Sequence, residues 1–178
     1  MNGARDAGRR LQSRIFRTPR GEPITVRPIR RQDVCLLQAY TQGLSMETRH
    51  NRFLAAVGEL SPARIEQVIS MDRPGEVALL AFADAEETQV IAEVILAKTP
   101  DGRRCEIAVS VADAWQGKGV GTLLLRHLEC RARTLDARFL FGGVLRTNTA
   151  MKSLARKEGF SILAQFGDPR LIVVGKDL

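Results

Sequence analysis

A chain of 178 residues, 44% apolar and 26% charged, has the material for one domain and its core, which excludes wholesale disorder and makes a single domain rather than a two-domain enzyme the expectation. Its longest uninterrupted apolar run, residues 77–83, is far below the ~20 residues of a membrane helix, so no membrane partner is expected. The formal charge of +7 is all at the front: residues 1–31 hold nine Arg against Asp6 and Glu22, and the rest of the chain holds 18 basic and 18 acidic residues. A neutral body does not suit nucleic acid, and residues 1–21 read as a basic, flexible extension before a single domain over 22–178.

Along the chain, Ile24 and Val26 between Pro23 and Pro28 mark a first short strand, with the prolines suited to an edge or a strand end. Val34, Leu37, Ala39 and Leu44 then recur near helical spacing, and Ser61 before Pro62 is an N-cap with Pro at the first helical position. Two helices are therefore expected before the next strand. Residues 76–84, 90–97 and 105–111 are rich in Val, Ile and Ala, with turn chemistry at 84–88 and 100–102, and predict an antiparallel meander. The period then changes. Val120, Leu124, Leu128 and Leu135 form a helical stripe, and the chain returns through residues 139–145, a strand–helix–strand unit that should be right-handed and parallel. A short helix over 150–157, closed by Gly159, and a hairpin of 161–166 with 171–174 end the chain. The class is α/β, with a mixed, mostly antiparallel sheet of six to seven strands flanked by helices.

Cys35, Cys105 and Cys130 contain no CxxC pair, so neither a disulfide framework nor a zinc cluster is indicated, and the thiols are expected to be reduced and buried. With His50 and His127 the only histidines, no metal is expected. The N-terminus lacks the apolar stretch of a secretory signal, which leaves the cytoplasm as the expected compartment.

The stretch richest in chemistry is Trp115-Gln116-Gly117-Lys118-Gly119-Val120-Gly121-Thr122, between a strand and a helix. Glycine at every second place lets the backbone approach a ligand closely, and the unpaired N–H groups of the following helix, with its positive dipole end, make an anion site suited to pyrophosphate. Two familiar phosphate loops are excluded: Lys118 is followed by Gly119 rather than Ser or Thr, and Thr122 stands where a dinucleotide fingerprint requires Gly. A glycine turn that merely joins strand to helix is the bland alternative.

Gln116, Gly119 and Gly121 fall in the register of the glycine signature of the GNAT superfamily of N-acetyltransferases, which the chain resembles from Ile24 onward. The resemblance implies that amides of Gln116, Gly117, Lys118, Gly119, Val120, Gly121 and Thr122 hold the pyrophosphate of acetyl-CoA. It implies also that the strand around Val109 and Val111 pairs with the pantetheine arm, and that Asn148 contacts the pantetheine or acetyl region. Two patches, Arg27-Pro28-Ile29-Arg30 with Asp33, and Leu44-Ser45-Met46-Glu47-Thr48-Arg49 with Arg52-Phe53, look like the acetyltransferase domain of bacterial protein lysine acetyltransferases. A stand-alone domain using acetyl-CoA as cosubstrate, with an amine acceptor and a monomeric or homodimeric state, is what this implies.

Acetyl transfer needs a neutral amine, and a lysine-like amine with a pKa of about 10.4 is neutral to only about one part in 10³ at pH 7. A positioned base contributes about 10² to 10⁴ in rate. Along residues 105–111, alternation puts Ile107, Val109 and Val111 on one face and Glu106, Ala108 and Ser110 on the other. Glu106 stands among small residues and can take a proton directly or through water; it also matches the glutamate that the lysine acetyltransferase relatives use as general base. Its bland alternative is a solvent-facing carboxylate, or one paired with Arg103 or Arg104. The oxyanion is assigned to a backbone donor near Val111. Many GNAT enzymes carry a Tyr shortly after the Asn, but residues 149–160 contain none, and Tyr40, the only Tyr, lies in the first helical region. The general acid is therefore unassigned. Cys105 points away from Glu106 and has no His to activate it, so direct transfer in a ternary complex is expected rather than a covalent intermediate. Trp115 is expected to pack under the loop. A small-molecule amine acceptor, and a non-catalytic acetyl-CoA sensor or nucleic-acid-associated protein, are the competing readings.

Overall fold

Alternation with period two builds the centre of the molecule. The structure, a computed structural model, describes residues 12–54, 60–71, 74–163 and 167–178. In β3 (Glu76–Phe82), Val77, Leu79 and Ala81 enter one apolar cluster while Ala78, Leu80 and Phe82 enter the other. Both faces of the sheet are thus buried, and each requires its own helical layer. The meander continues antiparallel through β4 (Val90–Lys98) and β5 (Arg104–Val111), with one irregularity at Ala81/Phe82.

One layer comprises α1 (Val34–Gly43) and α3 (Pro62–Ile69), which contribute Leu37, Tyr40, Ile65, Val68 and Ile69. Opposite lie α4 (Val120–Thr134), with Val120, Leu124, Leu125 and Leu128 inward, and α5 (Thr149–Lys157), with Ala155 inward. The crossover through α4 returns to β6 (Phe139–Leu145), which pairs with β5 in parallel, as the strand–helix–strand pattern predicts. The chain ends with β8 (Leu171–Asp177) inserted between β6 and β7 (Ser161–Leu163). Residues 164–166 of the expected hairpin lie outside the described residues.

Three features depart from expectation. Among the described residues the sheet has eight strands, in the order β1-β2-β3-β4-β5-β6-β8-β7, because β1 (Arg14–Arg17) pairs antiparallel with β2 (Pro23–Pro28). The domain therefore begins inside the segment read as a free extension. Its Arg-Ile-Phe-Arg sequence hides an inward Phe16, whose ring meets His127 of α4 edge-on at 5.4 Å. A third helix, α2 (Met46–Phe53), lies between α1 and α3; it buries no residue and so has no apolar stripe for periodicity to detect. Of the thiols, Cys105 is buried, but Cys35 and Cys130 are exposed, contrary to expectation.

One buried ion pair pins the first strands to the first helices. Arg27 donates through Nη1 and Nη2 to Asp33 at 2.6 and 2.9 Å, and through Nε to Glu87 at 2.5 Å, with its guanidinium 4.5 Å from the Phe82 ring centre. Among the described residues no helix is long and apolar enough to cross a membrane, and no group of three His, Cys, Asp or Glu is arranged to hold a metal.

Candidate active site

The sheet forks. β5 and β6 pair only through Arg104↔Phe139, Cys105↔Leu140 and Glu106↔Phe141, after which β5 keeps only β4 as a partner and β6 only β8. Gly142 stands at the fork, where a Cβ would lie 2.8 Å from the Ile107 carbonyl oxygen. Beyond it the inner edge of β5 has no neighbouring strand, which leaves main-chain groups there open to another partner. A cavity of about 500 Å³ occupies this gap, lined by residues 107–111 of β5, Gly142, Gly143 and Val144 of β6, Asn148 at the start of α5, and the glycine loop.

The loop enters α4 in left-handed conformations that only glycine adopts cheaply, with φ +71° at Gly117 and +85° at Gly119. Inside the first turn, a Cβ on Gly121 would come 2.9 Å from Leu154 Cδ2. Among the described residues no side chain caps this helix, so its first N–H groups remain available to an anion. Gln116, Gly117, Gly119, Gly121 and Thr122 line the cavity. The Lys118 and Val120 side chains do not. Lys118 Nζ lies 3.6 Å from Glu22 Oε1 and 4.5 Å from the Trp115 ring centre, and Val120 is buried in the core. Both can offer the loop's ligand only main-chain N–H. Trp115 packs against the core cluster and also reaches the cavity wall. From outside, Pro19 of the β1–β2 turn presses on the loop; a Cβ on Gly119 would meet it at 2.6 Å.

Helix α2 forms the facing wall through Glu47, Thr48, Asn51 and Arg52. Its N-cap is Ser45, whose hydroxyl accepts the Thr48 amide, and Asp113 ties this end to the loop. The Asp113 carboxylate accepts from the Ser45 amide (2.8 Å), the Ser45 hydroxyl (2.7 Å) and the Thr48 hydroxyl (2.7 Å). Partial burial pushes this carboxyl up, but the Ser45 and Thr48 bonds outweigh it and hold it below the usual carboxylate range. Gln116 completes the knot, donating to Thr48 Oγ1 and the Val111 carbonyl, both at 3.1 Å.

Glu106 occupies the last rung before the fork. It is exposed, does not line the cavity, and has no hydrogen-bond or ion-pair partner among the described residues. Arg104 pairs instead with Asp101 at 3.2 Å. Glu106 shares its strand face with Ala108 and Ser110, which do line the cavity. Val109 and Val111 lie half-buried along the gap. Asn148 Oδ1 is engaged as the N-cap of α5, accepting from the Met151 amide at 2.9 Å, which leaves its Nδ2 for a ligand. Burial pushes the Cys105 thiol up, which does not suit a nucleophile.

Sequence reading did not single out the polar cluster beneath the cavity. Arg52 and Glu93, with side chains 5% and 4% exposed, pair at 3.0 Å, and Tyr40 Oη meets Ser110 Oγ at 2.8 Å. Nor did it mark Gly142 and Gly143 as part of the site, although two adjacent glycines inside a strand signal a close approach. Ser45 followed by a helical segment was the available sign of α2.

A mixed sheet that forks beside a glycine-cradled, uncapped helix start defines the N-acetyltransferase class. Residues 46–160 match the Acetyltransferase (GNAT) family, and the chain belongs to that family and is an acetyltransferase. It is 34% identical over 142 residues to an acetyltransferase of Pseudomonas aeruginosa, covering 79% of this chain and 76% of that one. The fold is similar to the GNAT domain of S. lividans PAT, with a TM-score of 0.86 at 26% identity, covering 93% of this chain and 97% of that one. It is also similar to spermidine N-acetyltransferase from Vibrio cholerae in complex with CoA and spermine, with a TM-score of 0.69 at 18% identity, over 86% and 95% of the two chains.

Proposed function

We propose that the protein moves an acetyl group from acetyl-CoA to a protein lysine by direct attack in a ternary complex, with Glu106 as general base. The fork carries this reading: an open strand edge leads from the glycine loop to the rung held by Glu106. Amides of residues 116–122 bind the pyrophosphate, the main chain at Val109 and Val111 pairs with the pantetheine arm, and Asn148 Nδ2 holds that arm from the α5 side. Glu106 takes the proton of the attacking amine, directly or through a water, and a main-chain N–H near Val111 stabilises the charge on the carbonyl oxygen.

The likeness to S. lividans PAT and the resemblance of the patch running from Leu44 to Arg49 with Arg52 to protein lysine acetyltransferases support a protein acceptor. That patch builds α2, the cavity wall, and Met46 beside it is 79% exposed. The test is incubation with acetyl-CoA and lysine peptides beside a panel of small amines, following released thiol. Peptide acetylation is the expected result, and turnover on small amines alone overturns the assigned acceptor.

A further inference from the structure

Tyr40 of α1 and Ser110 of β5 meet at 2.8 Å. Each is 6% exposed. Burial pushes the Tyr40 phenol up, against the pull of the Ser110 hydrogen bond, so it keeps its proton. Either oxygen could donate, but the two arrangements differ in cost. If Ser110 donated, the phenolic hydrogen would lose its partner in the core, and an unmade buried hydrogen bond is expensive. If Tyr40 donates, Ser110 keeps a hydrogen of its own, and Ser110 lines the cavity. The charged groups nearest this pair, Arg52 on α2 and Glu93 on β4, neutralise one another at 3.0 Å. The Ser110 hydroxyl then has a hydrogen to donate, on the strand proposed to carry the pantetheine arm.

We propose that Ser110 donates a hydrogen bond to the thioester sulfur as the C–S bond breaks, with Tyr40 as the positioning residue that fixes Ser110 Oγ as an acceptor. This rests on acetyl-CoA lying in the fork. The amine nitrogen forms the C–N bond and gives its proton to Glu106, and the C–S bond breaks with its electron pair left on sulfur. Ser110 keeps its proton throughout, and the thiolate is protonated by solvent on release. Leaving-group stabilisation is thereby supplied without a Tyr between residues 149 and 160.

The test combines turnover with calorimetric titration of CoA and desulfo-CoA at pH 8.5, where part of the thiol is ionised. Ser110→Ala should lower kcat by about 10- to 100-fold while the KM for acetyl-CoA stays within about twofold. It should also weaken CoA by roughly tenfold and leave desulfo-CoA unchanged. Ser110→Thr should recover most of the rate, and Tyr40→Phe should lose less than Ser110→Ala. The double variant should be no slower than Ser110→Ala, because Tyr40 acts only through Ser110. An unchanged kcat in Ser110→Ala, equal weakening of both ligands, a Thr variant as slow as Ala, or losses that multiply in the double variant would each overturn the proposal. Failure of the wild-type chain to bind desulfo-CoA would instead remove the acetyl-CoA reading on which it rests.

Discussion

Glu106 and Asp113, two exposed carboxylates near one cavity, differ in what holds them. Glu106 has no partner among the described residues, which suits the role of base proposed for it. Glu106→Gln should lower turnover at pH 7 by about 10² or more and recover part of it near pH 10, where the amine deprotonates unaided; CoA affinity by calorimetry should not change. An unchanged rate at pH 7 removes Glu106 from the mechanism. Asp113 is committed by three hydrogen bonds from Ser45 and Thr48. Asp113→Asn should loosen both α2 and the Gln116 end of the loop, so the KM values for acceptor and acetyl-CoA should rise together. A rise in only one would show that the two walls are independent. Asp33 is structural. Asp33→Ala removes the bidentate partner of Arg27, 2% exposed, and leaves Glu87 alone to balance its charge, at a cost of about 1–3 kcal/mol. A fall in Tm of roughly 5 °C is expected by calorimetric scan.

At the scale of elements, the glycine loop and the β1–β2 turn act as one unit. Gly119→Ala puts a Cβ on a backbone at φ +85° and 2.6 Å from Pro19 Cδ, and the left-handed conformation alone costs about 1–2 kcal/mol. The loop should shift and CoA should bind about tenfold more weakly, while the Tm falls by only a few degrees. The packing of β1 on α4 carries a pH signature. Burial, helped by Arg14 and Arg131, holds His127 below its ordinary 6.5. The unfolded chain then binds a proton more readily than the folded one, so this contribution is complete above about pH 6.5 and is lost as pH falls through the folded value. The Tm should drop between pH 7.5 and 5.5, and His127→Gln should flatten that slope. α2 shows why an element can escape periodicity: it turns Glu47, Thr48, Asn51 and Arg52 to the cavity and buries no apolar residue, so it leaves no apolar stripe.

For the whole molecule, the location of the charge matters less than where the sheet begins. Removing residues 1–20 takes away β1, Phe16 and Pro19, bares the edge of β2, and should lower the Tm as well as weaken CoA. The truncation that isolates the basic arm therefore stops at residue 11 and should leave acetyl-CoA turnover intact. Loss of turnover there would give the arm a part in the enzyme. The composition of residues 14–17 could not reveal a strand, since two of its four residues are Arg, and pairing with β2 and the seat of Phe16 against α4 are what fix it.

Local chemistry was enough to read β3 to β6, α4 and α5 from the sequence, because alternation, helical spacing, caps and turn residues act over a few neighbours. It was enough also for the glycine loop, where the absence of side chains is what lets the backbone take its left-handed turns. The fork between β5 and β6, the knot of Ser45, Thr48, Asp113 and Gln116, the pairing of Arg52 with Glu93, and that of Tyr40 with Ser110 were decided by tertiary structure alone. Each joins residues 35 or more apart in the chain. A hydrogen bond across that separation exists only because packing has first brought the two elements together, and no local pattern encodes it.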